Sequence, residues 1–549
     1  MANPIANSPS HVPRALPCRA SVVAHPLSAE APNLPLAKTT VAARGVSGAF
    51  SIGEYHGSRL AWRAALVFGV MRWQRRRARG SRSAFVVRCA QSQANQQRVL
   101  VVGGGLAGLN LALRLAEMPW PVSERRQAPS ITLVDPKERF VFSPLLVDYA
   151  LSGEVELDEF APQFQALLGH SRDEIGRLPK LPSTRPGKLH HLRGRIGTVD
   201  WQRRRAHYSS AETGELQDLH FDALVYAPGQ LGTGKPPTIQ GLAEAVAASR
   251  AQTFLSLADA EALHTRLAVG NVQSIAVVGA GYIGVELATA LAEKRKYHVA
   301  LFGNALLQGS EVPNRRRSED RLQALGVTRY KGRVRAINEA GLLWTSASED
   351  VLSATPQQHE SNLVLVTGAA AASLTDPEMD PRINLQLSSP DDYLRGAPGI
   401  FCIGDVSAAA AGTPATGQAA MQQAEVAAWN VFAQLSGLPR IAWRRYSPSV
   451  LGEYISLGRN SAAAVVDASQ LTKLVPPALP PTAAALLDPL LSASASTGRE
   501  SRKVDLGGRS AALLRRLSYL YKMPTLGHRA WVAKRWAERA AASDAALPA

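Results

Sequence analysis

Two glycine-rich turns, about 175 residues apart, constrain this chain more than any other feature in it. The first is Gly103-Gly104-Gly105-Leu106-Ala107-Gly108, directly after the apolar run Val99-Leu100-Val101-Val102. The second is Gly279-Ala280-Gly281-Tyr282-Ile283-Gly284, directly after Ile275-Ala276-Val277-Val278. Each stands between a run that reads as a buried strand and an apolar segment with helical periodicity, the context a dinucleotide-binding turn requires. The first glycine of such a turn makes the tight reversal, and the second lets backbone approach a pyrophosphate. The third lets the helix pack against its strand, so that the helix N-terminal amides face the phosphates. Two such units imply two dinucleotides, and passing electrons between them is the economical reason to hold both.

At 549 residues the chain is too long for one core and fits two or three domains. Its net charge of +17 is unevenly placed: residues 1–94 carry twelve Arg and one Lys against Glu30 and Glu54, a net +11, which leaves +6 for the rest. A nucleic-acid partner is therefore not expected. A leader rich in Arg, Ser and Ala and poor in acids reads as an organelle transit peptide. The segment Val86-Val87-Arg88-Cys89-Ala90 resembles a stromal processing site, favouring plastid over mitochondrion. Of three cysteines, Cys18 and Cys89 fall in that leader and only Cys402 lies beyond it, which excludes a disulfide framework or a zinc site. No run of about 18 apolar residues is present, so no transmembrane helix is expected.

Alternating strands and helices through residues 98–440 predict an α/β, mostly parallel architecture. The strand Ile131-Thr132-Leu133-Val134 ends in Asp135, 27 residues past Gly108, where a carboxylate can accept hydrogen bonds from ribose hydroxyls. The equivalent strand of the second unit, His298–Phe302, is followed by Gly303-Asn304 with no acid to repel a 2′-phosphate. Arg315, Arg316 and Arg317 could add positive charge there, and the choice between NADH and NADPH stays open. Two further strand-turns follow, Leu363–Gly368 and Ile400–Asp405.

Together, the two fingerprints, the Phe221–Gly229 strand and Ile400–Asp405 resemble the two-dinucleotide flavoprotein reductases. That resemblance implies FAD at Gly103, Gly105, Leu106, Ala107, Gly108, Asp135, Gly229, Gly404 and Asp405. It implies NAD(P)H at Gly279, Gly281, Tyr282, Gly284, Thr367 and Gly368. The family's Ala-Thr-Gly is Ala227-Pro228-Gly229 here, which removes a hydroxyl. A lone Cys402 does not suit the branches that need a redox cysteine pair. Three stretches are similar to type II NAD(P)H:quinone dehydrogenases of the plant and algal plastid branch: Asp135–Leu146 with Leu151–Val155, Gln418–Glu425, and Leu451–Arg459 with the basic tail. Gln418 and Gln422, four apart on one helical face, match the family's quinone-site glutamines, although its leading Ala is Gly417 here. Glu286 matches a family glutamate near the flavin–nicotinamide contact and is the candidate for proton handling.

The resemblance implies two Rossmann-like domains, the second inserted in the first, plus a C-terminal membrane-docking region. The expected boundaries are 1–94 leader, 95–254 and 376–440 FAD-binding, 255–375 NAD(P)H-binding, and 441–549 docking region with a flexible insertion at 461–508. In the tail Leu513, Leu514, Leu517, Leu520 and Tyr521 form an amphipathic stripe flanked by Arg509, Arg515, Arg516 and Lys522, with Trp531 and Trp536 beyond. Residues 509–541 are therefore expected on a membrane or lipid-droplet surface; packing on the core or in a dimer interface is the alternative. The implied reaction passes hydride from NAD(P)H to FAD and two electrons to a prenylquinone such as plastoquinone or a phylloquinone precursor, at thylakoids or plastoglobules. A homodimer is left open. Two other readings predict different behaviour: a soluble reductase for a ferredoxin-like protein, and a flavin-bound redox sensor.

Overall fold

The computed structural model describes residues 96–121, 127–168, 188–229, 239–347, 355–367, 398–407, 415–450, 452–467 and 503–545. The expected leader and Gly368 lie outside them. The chain enters as β1 (Arg98–Val102), whose Val99, Leu100 and Val101 are almost wholly buried. Such an unbroken apolar run belongs to a strand covered on both faces. The chain turns through the first fingerprint into α1 (Leu106–Glu117) and returns as β2 (Ser130–Asp135), parallel to β1. β3 (Lys188–Asp200) continues parallel to β2 and pairs antiparallel with β4 (Arg205–Ser210), which in turn pairs antiparallel with β5 (Leu216–His220). β6 (Ala223–Tyr226) lies on the other side of β1, again parallel.

From there the chain leaves the first sheet and builds a second. β7 (Ala251–Thr253), α2 (Leu257–Val269), β8 (Ser274–Val278), α3 (Tyr282–Glu293), β9 (His298–Phe302), α4 (Val312–Ala324) and β10 (Thr328–Tyr330) precede a three-stranded antiparallel layer. That layer is β11 (Gly332–Asn338), β12 (Gly341–Ser346) and β13 (Gln357–Glu360); β14 (Leu363–Val366) then closes a parallel sheet of order β10-β9-β8-β14-β7. Only afterwards does β15 (Ile400–Cys402) rejoin the first sheet beside β6, completing the order β15-β6-β1-β2-β3-β4-β5. Cys402 is fully buried in that strand. α5 (Gly417–Leu435) packs against α1.

The C-terminal region departs from expectation. The two ends of the stretch 461–508, read as a flexible insertion, form β17 (Ala462–Asp467) and β18 (Lys503–Gly507); β17 pairs antiparallel with both β16 (Gly452–Ser456) and β18, and 468–502 lie outside the described residues. Ala462 to Val466 are all buried in the middle strand. Alanine has little intrinsic strand preference, so this assignment comes from the packing around it. α6 (Gly508–Lys522) lies on β17 through Ala511 and Leu514, and an extended Met523 followed by Pro524 separates it from α7 (Leu526–Ala545). Among the described residues no helix is long and apolar enough to cross a membrane.

Candidate functional site

Both fingerprint turns carry the strain their chemistry requires. Gly103 and Gly279 sit at φ +99° and +114°, where side chains other than glycine rarely go. A Cβ on Gly108 would strike the Gly103 carbonyl, and one on Gly284 the Gly279 carbonyl. The middle glycines behave oppositely: a Cβ on Gly105 or Gly281 meets nothing within 4 Å. Both residues are helix N-caps without any side-chain cap, so the first amides of α1 and α3 have no partner from a cap. The chain thus offers two anion-accepting helix ends, and a dinucleotide pyrophosphate fits each.

Around the first turn the expected residues converge. Asp135 is 4% exposed rather than solvated; its Oδ2 accepts the Gly104 N–H at 2.6 Å and its Oδ1 the Lys137 N–H at 2.8 Å. It locks the turn to the end of β2 and keeps lone pairs for further donors. Gly404 (φ +83°) lies against Ala107, and Gly417 against Leu106, where a Cβ would come to 2.6 Å from Leu106 Cδ1. An alanine at 417, as the family has, would need the Leu106 side chain to shift. Burial pushes the Asp405 carboxyl above its ordinary value, with no cation or hydrogen bond among the described residues to offset it. A ribitol hydroxyl would satisfy such a group. Gly229, at φ +78°, ends the β6 turn with open space at its Cβ position. Sequence reasoning missed Gln423: it is buried, and its Oε1 accepts from the Gly404 N–H (2.6 Å) and the Ser407 hydroxyl (3.1 Å), fixing the Gly-Asp turn.

At the second turn Thr367 donates its hydroxyl to the Val278 carbonyl at 3.0 Å and lies 3.2 Å from a Cβ placed on Gly284. Tyr282 is 40% exposed; burial of its ring and the nearby Glu453 push its phenol well up. Of the three arginines considered for a 2′-phosphate, Arg317 is committed elsewhere, its guanidinium forked onto Asp505 at 3.0 and 2.9 Å.

The two modules meet at a buried charged junction. Arg515, from α6, donates to Asp148 Oδ2 at 2.7 Å and Oδ1 at 3.2 Å, and to the Pro144 carbonyl at 3.1 Å. The same guanidinium lies 3.8 Å from Glu286 Oε1, which accepts the Ser456 N–H at 2.9 Å. Burial pushes the Glu286 carboxyl up to about 7; Arg515 and the Ser456 N–H oppose that rise, and Asp148 adds to it. Burial works against the charge of Arg515, but Asp148, Tyr519 and Glu286 hold it. A carboxyl half-protonated near neutrality can accept or release a proton. Arg515 and Asp148 carried no local signal, because the partners are 367 residues apart.

Gln418 and Gln422 are brought together on α5, both donating to the Ser449 carbonyl, at 3.1 and 2.6 Å. The tail differs most from expectation. Leu514 is buried, Leu513 and Leu517 pack beside it, and Leu520, Trp531 and Trp536 pack on the main core. Its cations face acids of one short segment: Arg516 pairs with Glu154, Arg535 with Glu156, and Arg539 with Glu159 and Glu156. Much of the stripe and charge that read as membrane-facing is spent inside the protein; Tyr521 and Leu526 stay exposed.

Comparisons with known proteins agree with this geometry. The family model for pyridine nucleotide-disulphide oxidoreductases matches residues 97–424. The chain is 30% identical to demethylphylloquinone reductase NdbB of Synechocystis sp., over 80% of this chain and 96% of that protein. It is 29% identical to the alternative NAD(P)H-ubiquinone oxidoreductase C1, chloroplastic/mitochondrial, of Arabidopsis thaliana, over 82% of each. The solved structure of NDH2 from Plasmodium falciparum in complex with NADH shares the fold, with a TM-score of 0.58, 14% identity, and coverage of 81% of this chain and 98% of that one.

Proposed function

The chain belongs to the pyridine nucleotide-disulphide oxidoreductase family, and from that premise we propose that it is a type II enzyme, an FAD-dependent NAD(P)H:quinone oxidoreductase. The observation that carries this reading is Cys402, the one cysteine beyond residue 89, fully buried in β15. One cysteine beyond residue 89 cannot form the dithiol pair that the thiol-disulfide branches use, so the electrons go to some other acceptor. The relatives' names supply its class: demethylphylloquinone and ubiquinone are both prenylated quinones. Bound FAD would take hydride from NAD(P)H and release two electrons to that quinone.

The chain's own residues divide the remaining work. The α1 end, with Asp135, Gly229, Gly404 and Asp405, binds FAD; the α3 end, with Tyr282 and Thr367, binds NAD(P)H. Glu286 holds or gives up the proton that quinone reduction consumes, and Gln418 with Gln422 orients the quinone carbonyl. The tail meets the lipid surface through groups left outside, Tyr521 and Leu526 among them, and the enzyme works in the plastid. The purified protein tests this reading directly: it should show a flavin absorbance spectrum and oxidise NADH or NADPH with decylplastoquinone. A colourless protein, or a flavin reduced by NAD(P)H but never reoxidised by quinone, would overturn it.

A further inference from the structure

Residues 443–450, following the 3-10 turn Arg440–Ala442, run beside α5 without regular secondary structure, and side chains of that helix supply hydrogen bonds to them and to Ala442. Asn430 pairs with both backbone groups of Arg444: its Nδ2 donates to the carbonyl at 3.0 Å and its Oδ1 accepts the N–H at 2.8 Å. Gln422 repeats the pattern on Ser449, donating to the carbonyl at 2.6 Å and accepting the N–H at 3.1 Å, with Gln418 adding a second donor at 3.1 Å. The Trp429 indole donates to the Ala442 carbonyl at 2.7 Å. Positions 418, 422, 429 and 430 fall on one face of a helix of 3.6 residues per turn, so that face imitates the edge of a β-strand.

The two ends of the segment are unequal. Asn430 is fully buried, Arg444 lies 4.4 Å over the Trp429 ring, and Trp443 stacks on Phe401 at 5.9 Å. At the other end the glutamine bonds are exposed, and Val450 beside them is 71% exposed. A hydrogen bond open to water is exchanged far more readily than a buried one. The Ser449 carbonyl also resembles what a quinone would present to the same donors: one carbonyl oxygen receiving two amide N–H groups.

We infer that residues 442–450 form a strap, anchored at Arg444 and latched at Ser449 by Gln418 and Gln422, which must release before a quinone reaches those amides. Gln422 is thereby a positioning residue for the strap as well as for the acceptor. The identity of the acceptor rests on the proposed function; the latch itself does not. Hydrogen exchange of the full-length protein tests both parts. Gln422→Leu should raise exchange over residues 445–450 by about tenfold while residues 428–435 of α5 stay protected. Oxidised decylplastoquinone, added to the unaltered protein without NAD(P)H, should raise exchange over the same residues. Unchanged exchange in the variant would overturn the latch, and loosening in the variant without any effect of quinone would overturn the gating. Failure of the enzymatic reading would show separately, as unaltered protein whose NAD(P)H-reduced flavin no quinone reoxidises.

Discussion

At the scale of single residues, the glycines of the first turn divide into those the fold needs and those the ligand needs. Gly103→Ala places a Cβ against the Ala227 carbonyl at φ +99°, and should destabilise the protein by about 3 kcal/mol or more in urea unfolding. Gly105→Ala meets no neighbour and suits the backbone, at φ −76° and ψ −167°. It should leave unfolding of the FAD-free protein unchanged and weaken FAD binding about tenfold, measured by flavin fluorescence titration. Glu286 gives the residue-scale pH prediction. Its proton-donating form predominates below about 7, so quinone reduction should fall as pH rises through that value. Glu286→Gln should abolish this limb and lower turnover by roughly 10²-fold. The linked stability has the same sign: the fold favours the protonated carboxyl, so stability is full below 4.5 and declines as pH rises from there to about 7.

At the scale of elements, the β–turn–α units were legible because each carries its own signal: apolar run, glycine turn, periodic helix. The return of β15 to the first sheet was legible only through family resemblance, since no local pattern specifies which strand Ile400–Cys402 adjoins. β17 was misread because its alanines neither alternate nor favour strands; its neighbours β16 and β18 impose the conformation. α6 was read correctly as amphipathic, but periodicity reports a buried face without naming what covers it. The cover is β17 and the Asp148 segment. Arg515→Met tests how far α6 depends on that cover. It leaves Asp148 and Glu286 buried without their cation, and should cost about 3–5 kcal/mol in urea unfolding, far more than loss of an exposed pair such as Arg203–Asp200.

At the scale of the whole molecule, the tail helices fasten the chain's late residues to its early ones. His528 is buried, and its Nε2 donates to the Glu159 carbonyl at 2.8 Å. Burial holds its pKa below 6.5, so its contribution is present above 6.5 and is lost as pH falls below it. The tail should therefore undock before the nucleotide modules unfold in acid, seen as a change in Trp531 and Trp536 emission at a pH where flavin remains bound.

The Arg515 junction has a consequence for biogenesis. Asp148 and Glu286 emerge from the ribosome long before the arginine that neutralises them, and domains tend to fold as they emerge. Until α6 arrives, the two modules cannot close over bare carboxylates without a desolvation penalty. Final closure is thus deferred to the end of synthesis, and a truncated product lacking α6 would be left ajar, exposed to proteolysis.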